Sequence, residues 1–251
     1  MLIETVLRGA DIRLAAALEQ PGNPHIGKDA GELVGSPCGL KISEDVVNAL
    51  KGCDALIDFT RPEGTLAHLE ACRALGVRMV IGTTGFNDDG RKAIADASRA
   101  LAIAMAPNFS IGVNVTFKLL EIAAKALSTG YDVEILEAHH RHKVDAPSGT
   151  ALRMGEVVAQ ALGRDLRQCA VYGREGVTGE RREDTIGFAT VRGGDLVGDH
   201  TVMFIGTGER VEVTHRASSR VNYANGALHA ARFIMARKSG LFDMRDVLGL
   251  K

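Results

Sequence analysis

Short apolar runs recur at an even spacing in the first half of the chain, and this repeat most constrains the fold. Strands are predicted at 55–59, 78–81 and 101–105, beginning about 22–24 residues apart. Helical stretches from Pro62 to Gly76 and from about 87 to 99 fill the intervals. A strand–helix repeat of this length is typical of βαβ units with short loops. We therefore expect a parallel sheet with helices on both faces.

Polar, small or glycine residues stand where each of these apolar runs stops. In open parallel sheets, ligands bind beyond the carboxyl ends of the strands, so the clusters are candidates for one crevice. Each cluster taken alone is also typical of an ordinary turn, and only their recurrence favours a binding site. The candidates are Glu19 after a run at 12–18, Phe59 and Thr60, then Gly82, Thr83, Thr84 and Gly85, and finally Ala106, Pro107, Asn108 and Phe109.

The pattern changes after residue 110. A helix to about Leu127 leads into a strand, and three later runs with partial alternation are separated by glycine-rich turns, which indicates a largely antiparallel or mixed sheet. A last helix, at about 219–238, precedes a tail expected to pack back on the first domain. The predicted strands are 131–136, 185–191, 199–205 and 209–215, and the predicted domains are 1–109 with 221–251, and 110–220.

Residues 137–151 read EAHHRHKVDAPSGTA and carry the densest chemistry in the chain. Histidine exchanges protons near neutral pH, so His139 and His140 beside the ammonium of Lys143 indicate proton delivery to an anionic substrate. Two other interpretations stay open. The histidines could bind a metal, although Lys143 would repel a cation and no familiar ligand spacing is present. They could also be incidental residues at an exposed strand end.

The end of the same segment predicts a seat for an anion. Ser148 is a good N-cap for a helix over about 149–162, and the free N–H groups of its first turn attract negative charge. The hydroxyl of Thr150 adds a donor, and Gly149 has no side chain to keep a carboxylate from the backbone.

Composition excludes several classes of function. The net charge is −1 and 45% of the residues are hydrophobic, so nothing indicates binding to nucleic acid or to an anionic membrane. No run is long enough to span a membrane, and the N-terminus lacks the features of a signal peptide. The four cysteines show no paired spacing, which is typical of reduced thiols in a cytoplasmic protein.

Several segments together resemble the 4-hydroxy-tetrahydrodipicolinate reductase family of diaminopimelate and lysine biosynthesis. The likeness extends over essentially the whole chain, and its central motif is 137–151. The other segments are IDFTRPEGT at 57–65, VIGTTGF at 80–86, APNFSIGVNV at 106–115, TIGFATVRGGDLVGDHTV at 185–202 and GERVEVTHRASSR at 208–220.

The resemblance implies a Rossmann-like sheet followed by an α+β substrate domain with an open mixed sheet. It implies reduction of a cyclic imine dicarboxylate by NADH or NADPH, with His139 as proton donor, Lys143 assisting and His140 contacting substrate. Ser148, Gly149 and Thr150 would bind the substrate, and Arg220 either joins them or is a solvated surface arginine. The family's usual homotetramer, formed by joining the C-terminal sheets, is implied in the same way.

The choice between NADH and NADPH depends on two adjacent residues, Glu19 and Gln20. The resemblance assigns Phe59, residues 82–84 and residues 106–109 to the cofactor. Glu19 is placed to accept hydrogen bonds from the adenosine ribose. Its neighbour is Gln20 rather than an arginine that would neutralise a 2′-phosphate, so NADH is favoured without excluding NADPH.

The chain departs from the family at its start, where the first strand and the glycine-rich turn are missing. Met1 corresponds to a position at which the first helix of the family has already begun. Either Met1 is an internal start, with roughly 15–20 residues of strand and loop preceding it, or the short chain binds the cofactor poorly. We expect the first. The rival functions are a semialdehyde dehydrogenase, which lacks support because no cysteine follows a strand, and a non-catalytic dicarboxylate-binding relative.

Overall fold

The computed structural model describes residues 1–251, and they divide into two compact units. Unit 1 comprises Met1–Ile111 and Val221–Lys251, and unit 2 comprises Gly112–Arg220. A short 3-10 helix spans Glu32–Val34. In chain order the other elements are α1 (Leu2–Arg8), β1 (Ala17–Leu18), β2 (Ile42–Ser43), α2 (Val46–Leu50), β3 (Ala55–Asp58), α3 (Pro62–Leu75), β4 (Arg78–Ile81), α4 (Asp88–Ala97), β5 (Ala102–Met105), α5 (Ile111–Ala126), β6 (Asp132–His139), α6 (Gly149–Ala161), α7 (Leu166–Cys169), β7 (Ala170–Tyr172), β8 (Ile186–Arg192), β9 (Gly198–Ile205), β10 (Arg210–Ala217), α8 (Val221–Met235), β11 (Gly240–Phe242) and α9 (Met244–Val247).

Unit 1 is built on a four-stranded sheet in the order β11–β5–β4–β3, and every pair in it is parallel. The predicted parallel sheet is therefore confirmed. The intervening helix α3 has Pro62 in its first turn, where the missing N–H costs nothing, and ends at Gly76 with a left-handed φ of 72°. Apolar side chains from β4 and β5, including Met79 and Ile103, are fully buried against α3 and α4.

The N-terminal part of unit 1 forms a separate two-stranded parallel sheet, β1 with β2. The run at 12–18 was expected to be one strand, but only Ala17–Leu18 pairs, so that prediction is wrong for most of its length. The reason is that its partner β2 offers only Ile42 and Ser43 as ladder positions. This small sheet shares no ladder with the four-stranded sheet.

The C-terminal tail returns to unit 1, as predicted, and it does so as a strand. Residues of β11 pair in parallel with β5, Leu241 lying opposite Ile103. The helix before it, α8, is shorter than the 219–238 expected.

Unit 2 contains a five-stranded sheet in the order β10–β9–β6–β8–β7. Strands β6, β8 and β7 run parallel to one another, whereas β9 is antiparallel to both β6 and β10. The predicted open, mixed sheet is thus confirmed, although α7 and β7 were not anticipated. One face packs against α6 through Met154 and Val158. On the opposite face Leu136 and Val191 stay 39% and 47% exposed.

None of the helices combines the length and the apolar character needed to cross a membrane.

Candidate functional site

His139 is the last residue of β6, and its imidazole is fixed by a neighbour on the same strand. Residues two apart on a strand point to the same face, so Glu137 and His139 both face the helix-covered side of the sheet. The Glu137 Oε2 atom lies 2.5 Å from His139 Nδ1. Only 10% of the His139 side chain is exposed. The nitrogen Nε2 has no hydrogen-bond partner in the protein, and it lies beside Gly198, where a Cβ would come within 3.0 Å of it.

Glu137 is buried and receives several hydrogen bonds. Arg192, at the end of β8, donates to both carboxylate oxygens at 2.8 and 2.9 Å. The backbone N–H of Ser148 donates to Oε1 at 3.1 Å. Burial by itself would raise the pKa of Glu137, but the hydrogen bonds from Arg192, His139 and Ser148 outweigh it and lower the pKa. The carboxylate is therefore charged at neutral pH.

A second buried histidine lies against the first. His200 on β9 has its ring centroid 5.0 Å from that of His139, and its Nε2 lies 2.9 Å from Ser148 Oγ. Its Nδ1 is buried without a partner. Burial, followed by repulsion from His139, lowers the pKa of His200 to about 4, so this ring is neutral at neutral pH. Ser148 also caps α6 as predicted, since Oγ accepts from Ala151 N at 3.1 Å.

Lys143 follows in the loop after β6, and its ammonium is paired. Nζ donates to Asp145 Oδ1 at 2.8 Å, and this hydrogen bond lowers the pKa of Asp145. The side chain of Asp145 is 54% exposed. The side chain of Lys143 is only 20% exposed, so the ammonium is held in place while Asp145 can return to solvent when a substrate carboxylate takes its position.

A cavity of about 420 Å³ opens in unit 2 beside this loop. Of the predicted site residues it is lined by His140 and Arg220, whereas His139 and Lys143 do not line it. Burial first, and then the charge of Arg220, lowers the pKa of His140. His140 is therefore suited to hydrogen bonding rather than to donating a proton. The remaining lining residues are His142, Gly194, Asp195 and Val197.

The start of α6 presents donors that have no protein acceptor. The N–H groups of Gly149 and Thr150 precede the first N–H that the Ser148 side chain satisfies. A Cβ placed on Gly149 would meet no atom within 4 Å, so the space before the helix is open. This is the arrangement in which a helix N-terminus binds an anion.

In unit 1, the carboxyl ends of β3, β4 and β5 lie side by side and bring the predicted rim residues together. Phe59 is 43% exposed and packs edge-on against buried Phe109 at 5.6 Å. Its ring lies directly over Gly82, where a Cβ would approach Phe59 Cε1 to 2.1 Å. Only glycine allows this contact. Thr84 and Pro107 are exposed on the rim, whereas Ala106 is buried beneath it.

A buried polar network lies behind the rim. Thr83 Oγ1 accepts a hydrogen bond from Thr65 at 2.8 Å, and Thr65 in turn lies 3.3 Å from the hydroxyl of Thr60. Thr60 donates to Asp58 at 2.7 Å, and the other carboxylate oxygen is 2.8 Å from His68 Nδ1. These contacts fix the backbone at the ends of β3 and β4.

Two further predicted cofactor residues are located at strand and loop ends. Glu19 directly follows β1, and its Oε1 accepts from the N–H of Gln20 at 2.8 Å. Its second carboxylate oxygen has no protein partner. Asn108 is half-buried, and its Oδ1 accepts a hydrogen bond from the backbone N–H of Ser110 at 2.8 Å.

Sequence reasoning missed Glu137, Arg192 and His200 as members of the site. The three come from strands far apart in the chain. They meet because one register sets His139 opposite Arg192 and another sets Glu137 opposite His200. A signal was available: Glu137 and Asp199-His200-Thr201 lie within the segments that carried the resemblance. No group of three or more His, Cys, Asp or Glu residues is arranged to hold a metal ion.

The comparisons with known proteins cover both units. Residues 1–109 match the model of the dihydrodipicolinate reductase N-terminus, and residues 112–248 match that of its C-terminus. The chain belongs to the dihydrodipicolinate reductase family. This is a family of oxidoreductases, and the resemblance seen in the sequence is confirmed.

Individual relatives agree. A 4-hydroxy-tetrahydrodipicolinate reductase of Nitrosomonas europaea is 67% identical over 100% of this chain and 93% of its own length. The corresponding protein of Dechloromonas aromatica is also 67% identical, over 100% of this chain and 94% of its own. Among solved structures, the dipicolinate-bound dihydrodipicolinate reductase from Paenisporosarcina sp. TG-14 is 26% identical with a TM-score of 0.74, covering 96% of this chain and 91% of that one. This chain and that structure share one fold, a Rossmann-like domain followed by a substrate domain with a mixed sheet.

Proposed function

We propose that this protein catalyses the NAD(P)H-dependent reduction of 4-hydroxy-tetrahydrodipicolinate to tetrahydrodipicolinate in diaminopimelate and lysine biosynthesis. One observation carries the proposal. His139 has Nδ1 held by Glu137 and Nε2 free of any protein partner, which is the arrangement expected of a proton donor. The names of relatives that are 67% identical along the whole chain support the same reaction.

On the substrate side, the residues of unit 2 suit a dicarboxylate. Lys143 supplies an ammonium, and its partner Asp145 is exposed enough to give way to a substrate carboxylate. The open N–H groups of Gly149 and Thr150 suit a carboxylate, and Arg220 lines the neighbouring cavity with His140. The overall reaction replaces the 4-hydroxyl group by hydrogen and releases it as water, which leaves an unsaturated imine to accept the hydride. The enamine that results must gain a proton at carbon, and His139 delivers it from Nε2 and lowers the barrier.

On the cofactor side, the rim of unit 1 suits a nicotinamide dinucleotide. Gly82 has no side chain, so the Phe59 ring can lie directly over its backbone. Thr84 and Pro107 are exposed beside it. A bound NADH or NADPH supplies a hydride. Glu19 has a carboxylate oxygen available for ribose hydroxyls, and Gln20 brings no positive charge for a 2′-phosphate, so NADH is our favoured cofactor.

We also propose a homotetramer formed through the open sheet face of unit 2. Leu136 and Val191 lie on β6 and β8 in the interior of that sheet, and both are substantially exposed. Apolar side chains at the middle of an uncovered sheet favour association. Analytical ultracentrifugation of the wild type and of Leu136→Arg tests this, because the charge should dissociate the tetramer. The four cysteines carry free thiols, in keeping with our expectation of the cytoplasm.

A thermal-shift experiment separates the enzyme from the non-catalytic binder. We expect stabilisation by NADH and, separately, by pyridine-2,6-dicarboxylate, a planar mimic of the substrate. Stabilisation by the dicarboxylate alone would favour a binding protein that does not use a dinucleotide.

A further inference from the structure

The two ring nitrogens of His139 stand in different surroundings. Nδ1 is 2.5 Å from a carboxylate oxygen of Glu137, whereas Nε2 has no protein partner. Glu137 is only 1% exposed, so water cannot replace His139 as its hydrogen-bond partner. A carboxylate accepts hydrogen bonds and does not donate them, so Nδ1 carries a hydrogen in both protonation states of the ring. The nitrogen that exchanges protons is then Nε2.

Glu137 in turn is held on both oxygens. Arg192 donates one N–H to each, in the parallel geometry that makes arginine–carboxylate pairs strong. Thr190 adds a contact at 3.3 Å and the Ser148 N–H one at 3.1 Å. The carboxylate therefore has a single orientation, with Oε2 facing the histidine.

We propose that Glu137 and Arg192 form a positioning pair that sets the orientation of His139 and the charge beside its ring. The inference rests on the proposed function, in which His139 is the acid. In that step the Nε2–H bond breaks, a C–H bond forms on the substrate, and the imidazolium becomes an imidazole that keeps its hydrogen on Nδ1. Water then returns a proton to Nε2.

The two members of the pair act on His139 in opposite directions. The charge of Glu137 favours the imidazolium, and the charge of Arg192 disfavours it. Of the other ionisable groups around the ring, His200 on β9 is neutral at neutral pH, since burial lowers its pKa to about 4. His140 is also neutral because its pKa is lowered, chiefly by burial.

The loop after β6 adds one more charged pair near the ring. Lys143 and Asp145 bind each other at 2.8 Å, so their charges largely cancel. Glu137 contacts the ring and Arg192 contacts Glu137, so removing one should act on the ring in the direction opposite to removing the other.

Histidine resonances of the full-length protein, labelled with carbon-13 and followed by NMR against pH, test this without substrate or cofactor. We expect the His139 resonances to titrate at lower pH in Glu137→Gln than in the wild type, because a negative charge beside the ring is lost, and at higher pH in Arg192→Gln, because a positive charge is lost. Both variants lose the same ion pair, so simple loosening of the structure would move the two pKa values in the same direction. Glu121→Gln is the matched control. It removes a lysine-paired carboxylate on α5 and should leave His139 unchanged.

The pH profile of kcat supplies the second readout. In Glu137→Gln the fall in kcat at high pH should begin at a lower pH than in the wild type, giving a severalfold loss on the alkaline side and little loss on the acid side. Arg192→Gln should move the fall in the other direction.

If the NMR pKa of His139 is unmoved or moves the same way in both variants, the positioning pair is refuted. If the NMR values shift as expected but the kcat profiles do not, His139 is not the acid and the proposed mechanism fails with the pair. If Glu137→Gln does not fold, the upward shift in Arg192→Gln still decides between these results.

Discussion

Burial of His200 makes the stability of this protein depend on pH below neutrality. The ring is 4% exposed, its Nδ1 has no partner, and its pKa falls from the usual 6.5 to about 4, first because of burial and then because of His139. A proton added to Nδ1 would enter a buried site without an acceptor. The folded protein therefore excludes a proton that the unfolded chain accepts.

The sign follows from comparing the two states. Above pH 6.5 neither state protonates this histidine, so it has no effect on the free energy of unfolding. As pH falls from 6.5 towards 4, the unfolded chain gains a proton and the folded protein does not, so stability is lost. The full loss is about 3 kcal/mol for a shift of this size, of which about 2 kcal/mol falls between pH 7.5 and pH 5.

The perturbation is His200→Gln, which keeps a polar group able to meet Ser148 Oγ but cannot titrate. Urea unfolding followed by circular dichroism at pH 7.5 and pH 5 gives the free energy of unfolding for both proteins. The wild type should lose about 2 kcal/mol more than the variant over this interval. His140 and His215 also have lowered pKa values, but they contribute equally to both proteins. Equal losses in the two proteins would refute the reasoning.

Three further predictions concern the proposed reaction. Lys143→Ala should lower kcat and raise the substrate KM, because it removes both a carboxylate anchor and a positive charge; steady-state kinetics showing a rise in KM alone would restrict Lys143 to binding. Gly82→Ala should raise the cofactor KM severalfold, because the added methyl group displaces the Phe59 ring. The free energy of unfolding should fall by only about 1–3 kcal/mol, since that ring can move into solvent. An unchanged cofactor KM would remove this rim from the cofactor site. For cofactor choice, kcat/KM for NADH should at least equal that for NADPH, and Gln20→Arg should favour NADPH; a strong NADPH preference in the wild type would show that another basic group binds the phosphate.

The elements that the sequence predicted well are those with strong local signals. Strands β3, β4 and β5 are short and mostly apolar, and α3 is marked at both ends by Pro62 and Gly76. Ser148 was identified as an N-cap because serine before an apolar helical repeat has one common role. In each case the interactions that fix the element lie within a few residues of it.

The elements that were missed depend on contacts distant in sequence. Ile42–Ser43 and Ala170–Tyr172 are strands of two and three residues, too short to carry a period, and they exist because a neighbouring strand pairs with them. Glu137 and Arg192 are linked only because β6 and β8 pair in parallel in one particular register. The expectation that a strand and a glycine-rich turn precede Met1 stays a prediction.

The central claim is that this chain reduces a cyclic imine dicarboxylate with His139 as the proton donor. Oxidation of NADH or NADPH should be followed with and without freshly generated 4-hydroxy-tetrahydrodipicolinate, for the wild type and for His139→Gln. We predict oxidation that depends on the substrate, and a kcat about a hundredfold lower in the variant with KM within a few fold. Oxidation that does not respond to the substrate, or a variant as fast as the wild type, would contradict the account.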